Sequence, residues 1–287
     1  MKVLGFGDCV VDVYLHTRTA YPGGNALNFA VFAKENGADA AFLGTMGDDV
    51  YAKQIVLAMD DRGIDYSHSP VLHGEAARCP VNIIDGDRVF AGNDPMHNGG
   101  GICVKNPPVL SEDDLAYMKG FDLIHCGCYA EIEDEMDKLR DLGPLLTYDF
   151  SSDDYTKEDK WLEKVCKKLD LGLFSGDGLD DAGIEALVKK AMGYGCKYVL
   201  VTMGADGQRF FDGENVYSGK AKFIKAIDTM GAGDSFCTAF LVSLLKCGWR
   251  KNVDITREMV ETSLKAGAEY SAKNCLVNGS FGYGLQY

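Results

Sequence analysis

The sequence predicts an α/β fold: a mostly parallel central sheet between two layers of helices, with a small β-sheet lid outside it. Three observations lead there. Apolar runs of strand length recur along the 287 residues, helical patterns fill the intervals between them, and one stretch near residues 77–90 carries strands with no helix to cover them. Strands that alternate with helices pair in parallel, because a parallel pair needs a long crossover, and a sheet buried on both faces reads as continuous apolar runs. A chain of 287 residues buries one large core and falls short of two full enzyme domains. One domain over residues 1–287 is expected, with a lid drawn from about 12–20 and 75–97.

In order, the first strand is Val3 to Phe6. The segment Met1-Lys2-Val3-Leu4-Gly5-Phe6-Gly7 has no basic stretch, apolar stretch and small-residue cleavage site of a secretory leader, so a cytoplasmic location is expected. Asp12 to Tyr14 supplies a lid strand from the first crossover. A helix over Ala26 to Asn36 is closed by Asn36-Gly37, strand Ala40 to Gly44 follows, and a helix over Val50 to Arg62 is closed by Gly63. Ala77 to Phe90 reads as two strands joined by a tight turn at Asp85-Gly86-Asp87. Further core strands are Leu123 to Cys126, Leu145 to Phe150, Leu171 to Phe174 and Tyr198 to Thr202. The acidic run Glu131, Glu133, Asp134, Glu135, Asp137 reads as a solvated helix face. Two longer helices, Asp234 to Cys247 and Ile255 to Lys273, show apolar spacings of three and four and should pack beside the sheet.

Composition narrows the function. With 46% hydrophobic and 25% charged residues, and no apolar run near the roughly 20 residues of a membrane span, the sequence reads as an ordinary globular chain without membrane insertion. A net charge of −14 repels phosphate backbones and excludes nucleic acid as a general partner. The ten cysteines read as small buried hydrophobes, because Cys126 and Cys128 have one residue between them and no second Cys/His pair sits at zinc-finger spacing. Asn278-Gly279-Ser280 fits a glycosylation acceptor, a triplet common by chance. No Gly-x4-Gly-Lys-[Ser/Thr] loop exists, since Gly213 to Lys220 is followed by Ala221, and Gly5-x-Gly7 meets Val10 where a dinucleotide fingerprint needs its third glycine.

The informative stretch is Ile227-Asp228-Thr229-Met230-Gly231-Ala232-Gly233-Asp234-Ser235-Phe236, which runs straight into an apolar helix. Backbone amides of Gly231, Ala232 and Gly233 can converge at the helix amino terminus, where the dipole also favours negative charge, and form an anion hole. Asp234 in the first turn beside it is placed to take a proton from a hydroxyl during phosphoryl transfer. The competing reading is a glycine-rich turn with Asp234 as a plain cap.

Asp-Thr-Met-Gly-Ala-Gly-Asp, residues 228–234, resembles the carboxyl-terminal signature of the ribokinase-like (PfkB) carbohydrate kinases. Gly23-Gly24-Asn25-Ala26-Leu27-Asn28-Phe29-Ala30, with Gly37 and Leu43-Gly44-Thr45-Met46-Gly47-Asp48-Asp49, is similar to the amino-terminal signature of the same family. Val201-Thr202-Met203-Gly204-Ala205-Asp206-Gly207 is similar to its nucleotide-side strand and turn, so the resemblance spans the chain. It implies a three-layer α/β/α sandwich with a β lid, ATP with Mg²⁺, a small-molecule sugar substrate, and a homodimer formed through the lid. Carried over, Asp234 is the catalytic base with Gly231, Ala232 and Gly233 as anion hole. Asp12, Gly23, Gly24 and Asn28 bind the sugar, and Arg88 on the hairpin is a further candidate for it. Thr202, Gly204, Gly207, Thr229 and Asn274 lie on the nucleotide side. In some members the residue matching Asp228 helps hold K⁺, a monovalent cation.

One departure bears on metal chemistry. Where many members carry Asn-x-x-Glu to organise Mg²⁺, this chain reads Phe174-Ser175-Gly176-Asp177-Gly178, so a subfamily without that motif is implied. Gly7-Asp8-Cys9-Val10-Val11-Asp12-Val13-Tyr14, Tyr21-Pro22-Gly23-Gly24, Arg88-Val89-Phe90 and Tyr148-Asp149-Phe150-Ser151 are similar to the compact fructoselysine 6-kinases. Two alternatives stay open: a kinase for another ketose or a nucleoside, and a catalytically silent sugar-binding regulator, against which the retained Asp234 weighs.

Overall fold

A computed structural model of the chain describes residues 1–84, 87–91 and 101–287. Its strands are β1 Lys2–Phe6, β2 Val10–Tyr14, β3 Thr19–Gly23, β4 Asp39–Leu43, β5 Ala77–Ile84, β6 Asp87–Phe90, β7 Leu123–Gly127, β8 Leu145–Asp149, β9 Leu171–Ser175, β10 Tyr198–Thr202, β11 Gln208–Phe211, β12 Val216–Gly219 and β13 Leu285–Gln286. The helices are α1 Asn25–Glu35, α2 Val50–Asp60, α3 Ile102–Lys105, α4 Glu112–Met118, α5 Met136–Leu139, α6 Asp159–Val165, α7 Asp181–Gly193, α8 Ala232–Lys246 and α9 Arg257–Asn274. Eight strands form one sheet in the order β12-β11-β10-β9-β8-β7-β1-β4, parallel from β10 to β4, with β11 and β12 added antiparallel. Five strands form the second, in the order β13-β3-β2-β5-β6.

Side chains that alternate along a strand go to opposite faces, and here both faces are apolar. Val3, Leu123, Leu145, Leu171 and Leu200 pack with Phe236, Phe240, Trp249 and Leu264, the layer of α8 and α9. Leu4, Ile124, Leu146, Val199 and Val201 pack with Met118, Met136, Leu162, Val165 and Leu187, the layer of α4 to α7. A third cluster joins α1 and α2 to β2 through Val11, Leu27, Phe32 and Ile55. This arrangement is the expected three-layer α/β/α sandwich.

The six expected core strands and the helices at 26–36, 50–62 and 234–247 fall on β1, β4, β7 to β10, α1, α2 and α8, with ends shifted by one or two residues; the fourth, expected from 255, starts two residues later as α9. Four strands were not expected: β3, β11, β12 and β13. Residues Asp85 and Gly86 of the expected hairpin turn, and 92–97 of the expected lid, lie outside the described residues. The acidic run departs from its reading. Only Met136–Leu139 is helical there, and Glu133 and Glu135 are buried. Glu133 accepts a 2.6 Å bond from the Tyr148 hydroxyl, and Glu135 accepts the Leu110 amide at 2.8 Å and Lys138 Nζ at 2.7 Å. Partners from other elements satisfy these charges, which is what burial of a carboxylate requires. Nine of the ten cysteines are buried and Cys247 is exposed. Among the described residues no helix is long and apolar enough to cross a membrane.

Helix starts prepare the site. Asp49 caps α2 through the Ala52 amide at 2.8 Å, and Ser111 and Thr256 close capping boxes on α4 and α9. Helix α8 has no such cap: its N-cap is Gly231 at φ +69°, a left-handed conformation that glycine adopts without a Cβ penalty, and no N-cap side chain accepts from the first-turn amides.

Candidate active site

Ligands of open α/β sheets bind beyond the carboxyl ends of the strands. At that edge, five carboxylates gather: Asp8 just after β1, Asp12 on β2, Asp149 at the end of β8, Asp228 before the glycine turn, and Asp234 in the first turn of α8. Asp8 holds the start of α1 by accepting the amides of Asn25 at 2.9 Å and Ala26 at 3.1 Å. That presents Asn25 and Asn28, three residues apart on one helix face, to Asp234. Asn28 Nδ2 donates to Asp234 Oδ2 at 2.6 Å, and Asn25 Nδ2 donates to Asp234 Oδ1 at 3.1 Å and to Asp149 Oδ2 at 3.0 Å. Asn28 Nδ2 also reaches Ser280 Oγ at 3.2 Å. The carbonyl oxygens Asn25 Oδ1 and Asn28 Oδ1 are buried without a donor among the described residues. Asn25 was quoted in the signature but not singled out; its spacing from Asn28 was the available signal.

Electrostatics follow from this crowding. Burial, then the charge of Asp149, pushes the Asp234 carboxyl up to about 7, against the Asn28 hydrogen bond that favours the ionised form. Asp234 remains partly accessible. Burial raises Asp12 to about 8, with Asp228 and Asp234 adding to the rise and Arg88 opposing it. Burial also raises Asp8 and Asp149. A base near 7 is matched to proton transfer at neutral pH.

Asp12 is 4% exposed and accepts no hydrogen bond from another described side chain. Gly23 lies against it, so that a Cβ there would stand 2.4 Å from Asp12 Oδ2. Gly24, at φ +109°, caps α1, and a Cβ on it would stand 2.9 Å from Asp8 Oδ2. Asp12, Gly23, Gly24 and Asn28 thus share one wall with Asp234 opposite.

At the start of α8, the amide of Ala232 turns back to the Thr229 carbonyl at 3.1 Å, so it does not join the expected anion hole. The amides of Gly231, Gly233 and Asp234 have no acceptor among the described residues, which leaves Asp234's own amide in the place assigned to Ala232. Thr229, expected beside the nucleotide, turns to the hairpin instead: its hydroxyl donates to Asp87 Oδ1 at 2.6 Å and accepts the Arg88 amide at 3.3 Å. Arg88 Nη1 lies 3.5 Å from the Thr229 carbonyl. The positive charge of its guanidinium opposes the rise of both Asp12 and Asp234.

Asp228 is fully engaged. Oδ2 accepts the Tyr14 hydroxyl at 2.6 Å and the Gly279 amide at 2.7 Å, while Oδ1 accepts the Met230 amide at 2.9 Å. This donor set makes Asp228 a buttress of the turn. Among the described residues no group of three or more His, Cys, Asp or Glu side chains could hold a metal ion.

Two clefts, lined by none of the five carboxylates, lie along the same edge. One, of about 230 Å³, follows β9 and β10 and is lined by Gly176, Asp177, Gly178, Met203 and Asp206. The other, of about 350 Å³, lies between β12 and α9 beside Lys220, Lys222 and Lys265. Thr202 and Gly204 flank Met203, which lines the first, and a Cβ on Gly204 would meet open space. Gly207 faces elsewhere: a Cβ on it would stand 2.2 Å from the Gly219 carbonyl, so its bareness serves the packing of the β10–β11 turn on β12. Asn274 ends α9, buried, with Nδ2 unpartnered among the described residues.

Known proteins are similar to this chain in sequence and in fold. The profile of the pfkB family carbohydrate kinases matches residues 3–148 and 162–281. Fructosamine kinase FrlD of Bacillus subtilis (strain 168) is 36% identical over 290 residues, covering 100% of this chain and 95% of its own length. Fructoselysine 6-kinase of Escherichia coli (strain K12) is 30% identical over 286 residues, with 98% of this chain and 100% of that protein covered. In fold, the chain superposes on a ribokinase from Giardia lamblia with a TM-score of 0.80 at 17% identity, over 98% of this chain and 94% of that one. The ribokinase of Arabidopsis thaliana complexed with ribose and ATP gives 0.76 at 18% identity, with 98% and 94% covered. With both signatures on one edge and the match running end to end, the chain belongs to the pfkB family of carbohydrate kinases and is an ATP-dependent sugar kinase.

Proposed function

We propose that this kinase phosphorylates the primary 6-hydroxyl of a fructosamine, with fructoselysine as the best candidate, and that Asp234 is its catalytic base. The observation that carries the mechanism is the grip of Asn25 and Asn28 on Asp234 beside the open amino terminus of α8. Asp12 holds sugar hydroxyls with a buried carboxyl that accepts from them and, while protonated, also donates, and the unpartnered Asn25 Oδ1 and Asn28 Oδ1 supply two further acceptors. A pocket built to accept hydroxyl hydrogens rejects analogues without them, since each loss leaves a buried group unpaired at about 1–3 kcal/mol. Asp234 takes the proton of the reacting hydroxyl, and the amides of Gly231, Gly233 and Asp234 stabilise the charge that develops opposite it.

Mg²⁺ fits as a phosphate-bound ion, because no cage of protein ligands stands among the described residues and Asp177 is an exposed carboxylate beside the cleft where Asn-x-x-Glu is absent. When bound, it neutralises charge on the transferring phosphoryl group. Thr202, Gly204 and Asn274 line the nucleotide side of this reading. The second sheet is the lid, and its exposed Ile84 and Val89, which share one face of the β5–β6 pair, support a homodimer through that face. The amine-bearing substrate rests on the names of the two relatives and on the carboxylate-rich edge, which suits a cationic group. A cytosolic setting suits nine buried thiols that stay free of disulfides.

The test is ATP consumption with fructoselysine, other fructosamines, fructose, ribose and adenosine, using the wild type and Asp234→Asn. Turnover confined to fructosamines and reduced about 10²- to 10⁴-fold in the variant is expected. Turnover of fructose or adenosine alone would overturn the substrate, and sugar binding without turnover would point to a silent regulator.

A further inference from the structure

The Thr229 side chain is not spent on a ligand. Its hydroxyl joins the lid hairpin to the loop that carries the anion hole: it donates to Asp87 Oδ1 at 2.6 Å, while the Arg88 amide is shared between Asp87 Oδ1 at 2.9 Å and Thr229 Oγ1 at 3.3 Å. The two partners lie 142 and 141 residues apart in sequence, so this is a junction between separate elements and not a local turn. On the loop side, Thr229 also anchors the glycine turn through its carbonyl, which accepts the Ala232 amide at 3.1 Å. One residue therefore binds the hairpin with its side chain and sets the first turn of α8 with its backbone, five positions before Asp234.

We propose that Thr229 is a positioning residue that couples seating of the lid hairpin to the alignment of the Gly231–Asp234 turn, so that the site is completed only when the hairpin is latched. The latch has chemical consequences. With the hairpin seated, Arg88 is held against the Thr229 carbonyl at 3.5 Å, and on this proposal the closed hairpin keeps water from the transferring phosphoryl group. With it loose, water can stand in for the sugar hydroxyl. Its oxygen attacks the γ-phosphorus, the bond to the β-bridging oxygen breaks, ADP leaves, and the water proton passes to Asp234 and then to solvent.

The perturbations are Thr229→Val, which keeps the shape and removes the hydroxyl, Thr229→Ser, which restores it, and Asp87→Ala, which lies on an exposed strand outside the core. The first measurement is the ratio of ATP hydrolysed to sugar phosphorylated. The second is hydrogen exchange of the peptide spanning β5 and β6 in the protein without substrate. Expected for Thr229→Val and Asp87→Ala are a kcat lower by about tenfold, a several-fold higher hydrolysis ratio and faster exchange in the hairpin peptide, with Thr229→Ser near the wild type in all three. A hydrolysis ratio and hairpin exchange unchanged in both Thr229→Val and Asp87→Ala would overturn the proposal. So would a loss in Thr229→Val that Thr229→Ser fails to rescue, which would mark a backbone effect alone.

Discussion

The hydrogen bond from Asn28 to Asp234 offers a quantitative handle on the base. In Asn28→Leu the donor at 2.6 Å is lost while side-chain volume is roughly kept. That donor favours the ionised carboxylate and opposes a rise caused first by burial and then by Asp149. A hydrogen bond to a charged group is worth about 1.5–3 kcal/mol, and one pKa unit is about 1.4 kcal/mol, so the titration of Asp234 should move up by about one to two units from about 7. Only ionised Asp234 accepts the hydroxyl proton, so kcat/KM falls as pH drops through the midpoint. At pH 7 the ionised fraction would fall from about a half to between about a tenth and a hundredth, a loss of about 5- to 50-fold. The assay is kcat/KM against pH from 5.5 to 9.5 for both proteins, which reports groups of the free enzyme. Asn28 also lines the sugar pocket, and the loss of that contact lowers the whole curve without moving it. An alkaline shift of the midpoint with recovery above pH 9 is the expected result. An unshifted midpoint with a uniform loss would refute the account of Asp234 as a base tuned by Asn28.

Three further outcomes follow from the geometry. Asp12 binds its proton more tightly in the native state, at about 8 against 3.8, so its contribution to stability is full below about pH 4 and is lost as pH rises towards 8. Thermal melts should then show Asp12→Asn more stable than the wild type by about 1–3 kcal/mol at pH 8 and equal to it near pH 4, after discounting the nominal linkage for relaxation at a ligand site. Gly23→Ala puts a Cβ 2.4 Å from Asp12 Oδ2, and displacing that carboxylate should raise KM for sugar by about 5- to 100-fold, the equivalent of a 1–3 kcal/mol overpacking cost. Gly231→Ala meets both a left-handed φ of +69° and Ser280 Oγ at 3.0 Å; a stability loss of about 1–2 kcal/mol and a lower kcat are expected by denaturant melts and initial rates.

What local sequence could reveal is uneven, for physical reasons. The parallel strands announce themselves because both faces are buried, and α1, α2 and α8 because an apolar stripe repeats at helical spacing. Strand β3, with Pro22 and Gly23 at its end, reads locally as a loop; it exists because β2 pairs along all of it and β13 covers its other edge. Strands β11 and β12 are four residues each, too short to show a period. Glu133 reads as solvated since nothing nearby in sequence reveals the Tyr148 hydroxyl. At the site, Asp234, Asn28 and Asp12 are visible as motif positions, but the Thr229 bond to Asp87 is not, because that partner is a hairpin residue that no motif spacing includes.

The buried carboxylate of Asp228 has a kinetic consequence. Its Tyr14 contact spans 214 residues, and the Asn28 bonds to Asp234 and Ser280 span 206 and 252, so the site is closed by pairings that reach across most of the chain. Contacts of that range bring loop-closure entropy that local helices avoid, and they form late. During refolding, far-UV ellipticity should return first and enzymatic turnover last, and the interval between them measures how long the ends of the chain take to find each other.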